Sequence, residues 1–457
     1  MISHATGQNS GNGLVFENLT TWSKVTFLSL LGVLLPAIAA LGILYRQALP
    51  VPYQDDYGTI LAFATDYDEL PNLRIKALDI ATAQSNEYKL VLEHSIVACE
   101  IELTGHLDFR FLTALGNLFL LPLCYMLWRT YQEDERDLSR RLLAFLPISL
   151  IFFSLNYWDN LNWTTTGLAN IPVILFSLLA IYLLLPKKMF APARTRLLFA
   201  CLAAALAAFS SANGFLLGPV GLLILLPRRA YVGSLLWCTS FVLPLATYLY
   251  HYTWLVHPAD GASYVTRPLF FLAFLGCGAI PYRWPAALLG MVMLRVLWLA
   301  VRSRFEQINP VGFYFTVWIV ATALLVAWVR GAVTFAIGSR YSIYSTLALI
   351  FCYCFLSHYV LNRWPTFNRN RFYLASILVA VTVCLSADIY AYKNLGARRQ
   401  MVLSGIENYR ANPEVNSPMI DQRLLRGSPE EQAYERRALT NAIRKHIYTL
   451  PRAQESR

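Results

Sequence analysis

Two neighbouring carboxylates, Asp55 and Asp56, stand in the run Pro52-Tyr53-Gln54-Asp55-Asp56-Tyr57. A carboxylate of this kind can take the proton from an acceptor hydroxyl or hold a divalent cation. The flanking Tyr53 and Tyr57 suit a membrane interface and can stack on a sugar ring. Glu93-His94 joins a carboxylate to an imidazole, a pair able to relay a proton or bind phosphate. Further along come Arg330 and Gly338-Ser339-Arg340-Tyr341. A guanidinium fork matches phosphate oxygens, so Arg330 and Arg340 are candidates to hold a lipid phosphate near a carboxylate base. Trp158 and Asn162, in Asn156–Trp163, and Asn213, in Ser211-Ala212-Asn213-Gly214, could line a cavity for a sugar or polar lipid head. Each has a plainer reading: a solvated loop, an exposed helix start, a snorkelling arginine, a helix-end anchor. The eight cysteines show neither paired nor zinc spacing, which favours buried packing. Phosphate-binding Gly-Lys-Ser/Thr, His-Glu-x-x-His and Gly-x-Ser-x-Gly motifs are absent from the sequence. An activated substrate already in the membrane is therefore expected rather than ATP in a loop.

The elements that must position these residues are apolar. Of 457 residues, 56% are hydrophobic and 14% charged, where a soluble domain has about a quarter charged. Apolar runs of membrane-spanning length exclude a soluble enzyme, a secreted disulfide scaffold and a disordered chain. The net charge of +11 is no nucleic-acid signal, because Lys and Arg cluster between apolar blocks. The clusters are Arg129, Arg136, Arg140 and Arg141; Lys187, Lys188, Arg194 and Arg196; Arg228 and Arg229; Arg302 and Arg304; and Arg363, Arg369 and Arg371. Placed inside, they give crossings near 25–45, 111–128, 142–157, 168–186, 197–212, 214–227, 232–250, 285–301, 311–329, 342–361 and 372–391. Residues 197–227 are expected to form a hairpin of two short helices broken at Ser210–Gly214. The block 269–280 is too short to span and is expected to be re-entrant or interfacial. The expectation is thus an all-α, polytopic transmembrane helical bundle of about eleven spans. Residues 1–24 form a cytoplasmic tail, 25–391 the membrane domain and 392–457 a soluble outer tail with helical patterning. The outer loop 46–110 carries 11 of the 27 acidic residues. Within it, Glu93-His94 with Ile96, Val97, Ile101 and Leu103 reads as the start of an amphipathic helix along the membrane. His251, His257, Asp260 and Arg267 in a later outer loop give weak signal. Arg330 and Arg340 fall outside, against the positive-inside tendency, and so need another reason to be there.

Asp55-Asp56-Tyr57, Glu93-His94, the run Gly105–Leu118, Trp158–Trp163, Ser210–Gly214 and Arg330 through Tyr341 together resemble bacterial polytopic proteins of the GT-C glycosyltransferase superfamily, over about residues 25–390. The resemblance implies an inner-membrane enzyme that moves a sugar from a polyprenyl-phosphate donor to a glycan, lipid or protein acceptor at the periplasmic face. It implies inversion at the anomeric carbon and an Asp of the first outer loop as base, here Asp55 or Asp56, with Asp56 preferred. Arg330 and Arg340, beside Tyr341, would hold the donor phosphate. Glu93 and His94 would orient the acceptor or phosphate, with Tyr57, Trp158, Asn162 and Asn213 lining the substrate. A metal is not required, though a divalent ion is compatible. Membrane lipids are expected neighbours and nucleic acid is not. The competing readings are a polymerase or ligase of lipid-linked glycans and, behind it, a lipid or sugar transporter.

Overall fold

The structure is a computed structural model that describes residues 24–85, 87–131, 138–185, 192–254, 265–330, 338–364, 366–413 and 429–451. The N-terminal tail to residue 23, Arg136, Lys187, Lys188, His257 and Asp260 lie outside them. Every regular element among the described residues is helical, apart from one bridge between Ser85 and Tyr88. The chain is an all-α polytopic bundle. Among the described residues, ten helices are long and apolar enough to cross a membrane: Thr26–Gln47, Phe109–Thr130, Leu138–Asn162, Thr164–Leu184, Ala193–Ser210, Tyr231–Leu249, Arg283–Arg302, Pro310–Arg330, Ser339–Arg363 and Arg369–Ala411. They are called the first to tenth spans below.

The fourth span sits at the centre. It carries no charged residue, and a helix apolar all round is one that is buried all round. The expected hairpin after the fifth span is present. Ser211 is extended, and the short helix Ala212–Arg228 runs back, so that Gly233 lies against both Leu197 and Leu225. Residues Thr266–Gly276 form a short helix folded onto the seventh span. That contact depends on glycine. A Cβ on Gly276 would lie 1.9 Å from the Ala286 carbonyl oxygen, and one on Gly290 1.9 Å from that of Leu272. Small residues at such crossings let backbones approach, which supplies packing where lipid offers no hydrophobic drive.

The basic span ends gather on one face. Thr26 Oγ1 meets Ser139 Oγ at 2.6 Å, Asn309 Nδ2 donates to the Thr130 carbonyl at 3.2 Å, and Arg129 donates to the Tyr182 hydroxyl at 3.4 Å. The opposite face carries a cap built from the first loop and the C-terminal region. The tenth span does not stop near 391. It continues unbroken to Ala411, 43 residues in all, or about 65 Å, roughly twice the hydrocarbon thickness. Its end and the helix Pro429–Arg444 pack on the loop in a core that includes Tyr57, Ile60, Tyr67, Phe109, Tyr409 and Leu439. Leu107 N–H donates to the Ile447 carbonyl at 2.7 Å, and the Tyr448 hydroxyl to that of Pro50 at 2.8 Å. The expected separate tail is thus half of one cap. The expected surface helix is also different: Val91–Thr104 buries Glu93, His94, Val97 and Ile101 within that cap.

Candidate functional site

Asp55 and Asp56 are turned apart by the local backbone. Gln54 takes a left-handed conformation at φ 47°, and the chain enters a helical turn at Tyr57–Ala62. Successive residues of a helix point about 100° apart, so the two carboxylates diverge. Asp56 is 1% exposed. Its Oδ2 accepts from Tyr53 N–H at 2.9 Å, and its Oδ1 accepts from Thr165 N–H at 2.9 Å and Thr165 Oγ1 at 2.7 Å. Thr165 lies in the first turn of the fourth span, where backbone N–H groups lack helical partners and favour an anion. Asp56 is therefore a cap for the central helix. Burial pushes its carboxyl up to about 7, against the Thr165 and Tyr53 hydrogen bonds.

Asp55 instead lines a cavity of about 520 Å³ together with Arg330, Arg340, Tyr341 and Asn213. The sequence favours Asp56 as base, but it is Asp55 that lines the cavity, while Asp56 is buried. Burial raises the Asp55 carboxyl above its ordinary value; Arg340 opposes that rise, Glu87 adds to it and Arg330 opposes it. The lining also has an apolar part, with Leu325, Val326 and Val329 of the eighth span and Leu249 of the sixth.

The two arginines differ. Arg330 forms an ion pair with Glu87 and donates to the Tyr88 hydroxyl at 3.2 Å. Arg340 makes no salt bridge among the described residues; its guanidinium lies 5.4 Å from the Trp163 ring centre and 5.2 Å from that of Tyr341. Amides fix its backbone. Asn160 Nδ2 donates to the Arg340 carbonyl at 2.7 Å, and Ser339 Oγ accepts from Asp159 N–H at 3.0 Å. The chain of amides continues from Asn170 Nδ2 to Asn160 Oδ1, from the Tyr344 hydroxyl to Asn170 Oδ1, and from Asn213 Nδ2 to the Tyr344 hydroxyl, all within 3.0 Å. Asn213 Oδ1 is left without a hydrogen-bond partner among the described residues.

Five expected substrate contacts are elsewhere. Glu93 is 1% exposed and meets Thr165 Oγ1 at 3.4 Å, behind Asp56; burial, reinforced by Asp56, holds its carboxyl well above the usual range. His94 stacks on Phe63 with ring centres 4.3 Å apart, and burial drops its pKa to about 4, leaving it neutral. Neither lines the cavity, because the helix start that carries them is packed into the cap. Tyr57 is buried in the cap core. Trp158 lies under Arg398, whose guanidinium is 4.2 Å from the Trp158 ring centre and 4.1 Å from that of Tyr53, and which pairs with Asp159. Asn162 reaches the Gln47 carbonyl at 3.5 Å and borders only a minor void of about 20 Å³. Arg267 lies over the Trp328 ring at 4.3 Å.

Sequence reasoning missed Glu87 and Tyr88, which belong to no motif. Their segment is clamped from the sixth span. The Tyr248 and Tyr252 hydroxyls donate to the Glu87 carbonyl at 2.5 and 3.2 Å, and the buried Lys89 ammonium donates to the carbonyls of Thr247 and Tyr250. No group of three or more His, Cys, Asp or Glu able to hold a metal occurs among the described residues. Asp56 already accepts three hydrogen bonds and points away from Asp55, so the two do not form a shared cation site. No family model, curated protein or solved structure matches the chain.

Proposed function

We propose that the chain is a glycosyltransferase of the bacterial inner membrane. It moves a sugar from a polyprenyl-phosphate donor to a cell-envelope glycan, lipid or protein, with inversion. The observation that carries this reading is the meeting of Asp55 and Arg340, which makes no salt bridge among the described residues, on one cavity with an apolar share of its lining. The resemblance of the sequence to GT-C enzymes points the same way. The basic face is cytoplasmic in this reading, and the capped face periplasmic.

The chemistry follows from the charges. The acceptor hydroxyl oxygen attacks the anomeric carbon as the bond from that carbon to the phosphate oxygen breaks. Asp55 takes the hydroxyl proton. A carboxyl lifted above its ordinary value is a stronger base than a solvated aspartate, and positioned bases contribute about 10²–10⁴ in rate. The electron pair leaves with the phosphate, whose negative charge grows. Arg340 meets that charge at once, and Arg330 joins when the phosphate competes with Glu87. Preorganised cations in a poorly solvated site stabilise a developing anion strongly. The apolar part of the lining accepts the first isoprene units, so the membrane delivers the donor already oriented.

The test is a deletion strain whose envelope glycans are compared by mass spectrometry, complemented with variants. Loss of one sugar, restored by the wild type and by no Asp55→Asn protein of normal abundance, is the expected result. Unchanged glycans in the deletion strain, or full restoration by Asp55→Asn, would overturn the reading.

A further inference from the structure

A second feature lies on the other face, far from the cavity. The eighth span runs from Pro310 on the basic face to Arg330 at the cavity, a rise of about 30 Å. Near its start, between the seventh and eighth spans, is an apolar groove of about 620 Å³ lined by Leu294, Leu297, Val301, Phe313, Val317 and Val320. One cation, Arg295, borders it.

Arg295, Trp298 and Arg302 are spaced i, i+3 and i+7, which puts them on one stripe of the seventh span. The guanidinium carbons of Arg295 and Arg302 lie 4.3 and 4.1 Å from the Trp298 ring centre. Arg295 and Arg302 are exposed and Trp298 is 44% exposed, so the stripe faces out of the bundle. Arg295 lies seven residues inside the end of its helix, about 10 Å. A cation on a lipid-facing surface at that depth is expensive unless an anion meets it. Neither arginine has a salt bridge among the described residues. Arg295 and Trp298 border the groove, and stacking on Trp298 holds the Arg302 guanidinium beside them.

We infer that Arg295, Trp298 and Arg302 form a binding site for an anionic glycerophospholipid of the membrane, with its phosphodiester on the two guanidiniums and one acyl chain in the groove. Charge complementarity selects the headgroup. The two cations are neutralised by a lipid of net negative charge, whereas a zwitterionic choline headgroup adds a cation of its own. The forked donors of arginine match phosphate oxygens, and the groove supplies apolar contact for a chain. The site is independent of the reading of the cavity.

The experiment is native mass spectrometry of the purified full chain, titrated with dioleoylphosphatidylglycerol or dioleoylphosphatidylcholine. Each arginine near a membrane surface contributes roughly a fivefold gain for an anionic lipid, so the wild type should prefer phosphatidylglycerol by about thirtyfold. Arg295→Gln/Arg302→Gln should reduce that preference to within about twofold, while Arg295→Lys/Arg302→Lys, which keeps both charges but loses the fork and the stacking, should fall between the glutamine variant and the wild type. Equal retention of the two lipids by the wild type, or an unchanged preference in the glutamine variant, would overturn the inference. The wild-type comparison decides by itself if the glutamine variant does not fold.

Discussion

The pair Arg398–Asp159 offers a test of how the cap is tied to the membrane domain. Arg398 is 6% exposed and the Asp159 side chain 13%. The guanidinium also lies on Tyr53 and Trp158, so one side chain of the tenth span joins the first loop to the end of the third span. Arg398→Met leaves Asp159 buried without its partner, a loss of about 3–5 kcal/mol for a pair broken from one side. Two ring contacts disappear with it, at roughly 0.5–2 kcal/mol each. Asp159→Leu leaves the guanidinium buried but still stacked, so its loss should be the smaller of the two. The double variant removes both charges and fills the space with apolar atoms. Its loss should be less than that of Arg398→Met alone, with a coupling of at least about 1 kcal/mol. Thermal unfolding of the four purified proteins in one detergent orders them. If the two single effects simply add, the pair is not the tie described here. Asp159 and Asn160 also hold Ser339 and Arg340, so the least stable variant should lose transfer as well.

Three other outcomes are expected. Glu87→Gln should raise the affinity for polyprenyl phosphate by up to about tenfold, since a charge-assisted competitor for Arg330 is removed; fluorescence titration giving equal or weaker binding would contradict that competition. Burial lifts Glu100 from 4.5 to about 7, against its hydrogen bond from Asp108. A carboxyl raised on folding gives stability that is full below pH 4.5 and lost as pH rises towards 7, so melting temperature should decline across that window and Glu100→Gln should flatten the decline; parallel curves would remove Glu100 as a cause. In a cysteine-free background, a membrane-impermeant thiol reagent applied to intact cells should label a cysteine at exposed Arg74 and spare one at exposed Arg229; labelling of both would break the assignment of faces.

The spans were legible because their signal is local. Runs of some twenty apolar residues and intervening arginines depend on no distant partner, and even the reversal at Ser211 is marked by a run of small and polar residues. The site was legible in its ends but not in its orientation. Asp55 and Arg340 have the right chemistry, yet which of two adjacent aspartates faces the cavity follows from the conformation of Gln54 and the helical turn after it. Extended alternation would also separate the two but cannot say which faces inward. Glu93 and His94 look reactive by type, and only the packing of Val91–Thr104 against the loop core reveals them as buried neighbours of the Asp56 cap. Glu87 is an ordinary loop acid until the sixth span clamps its backbone beside Arg330. The joining of residues 429–451 to the first loop is a contact across some 340 positions, for which neither segment carries a local mark.

That last contact has a consequence for biogenesis. The turn holding Asp55 and Tyr57 packs against the Pro429–Arg444 helix, with Tyr434 beside Gly58. A ribosome inserting this protein releases the first loop long before its partner exists, so the loop must wait while nine further spans are threaded. A premature stop after residue 411 and before residue 429 would leave a bundle with all its crossings and an unfinished roof, exposed to whatever proteases patrol that face.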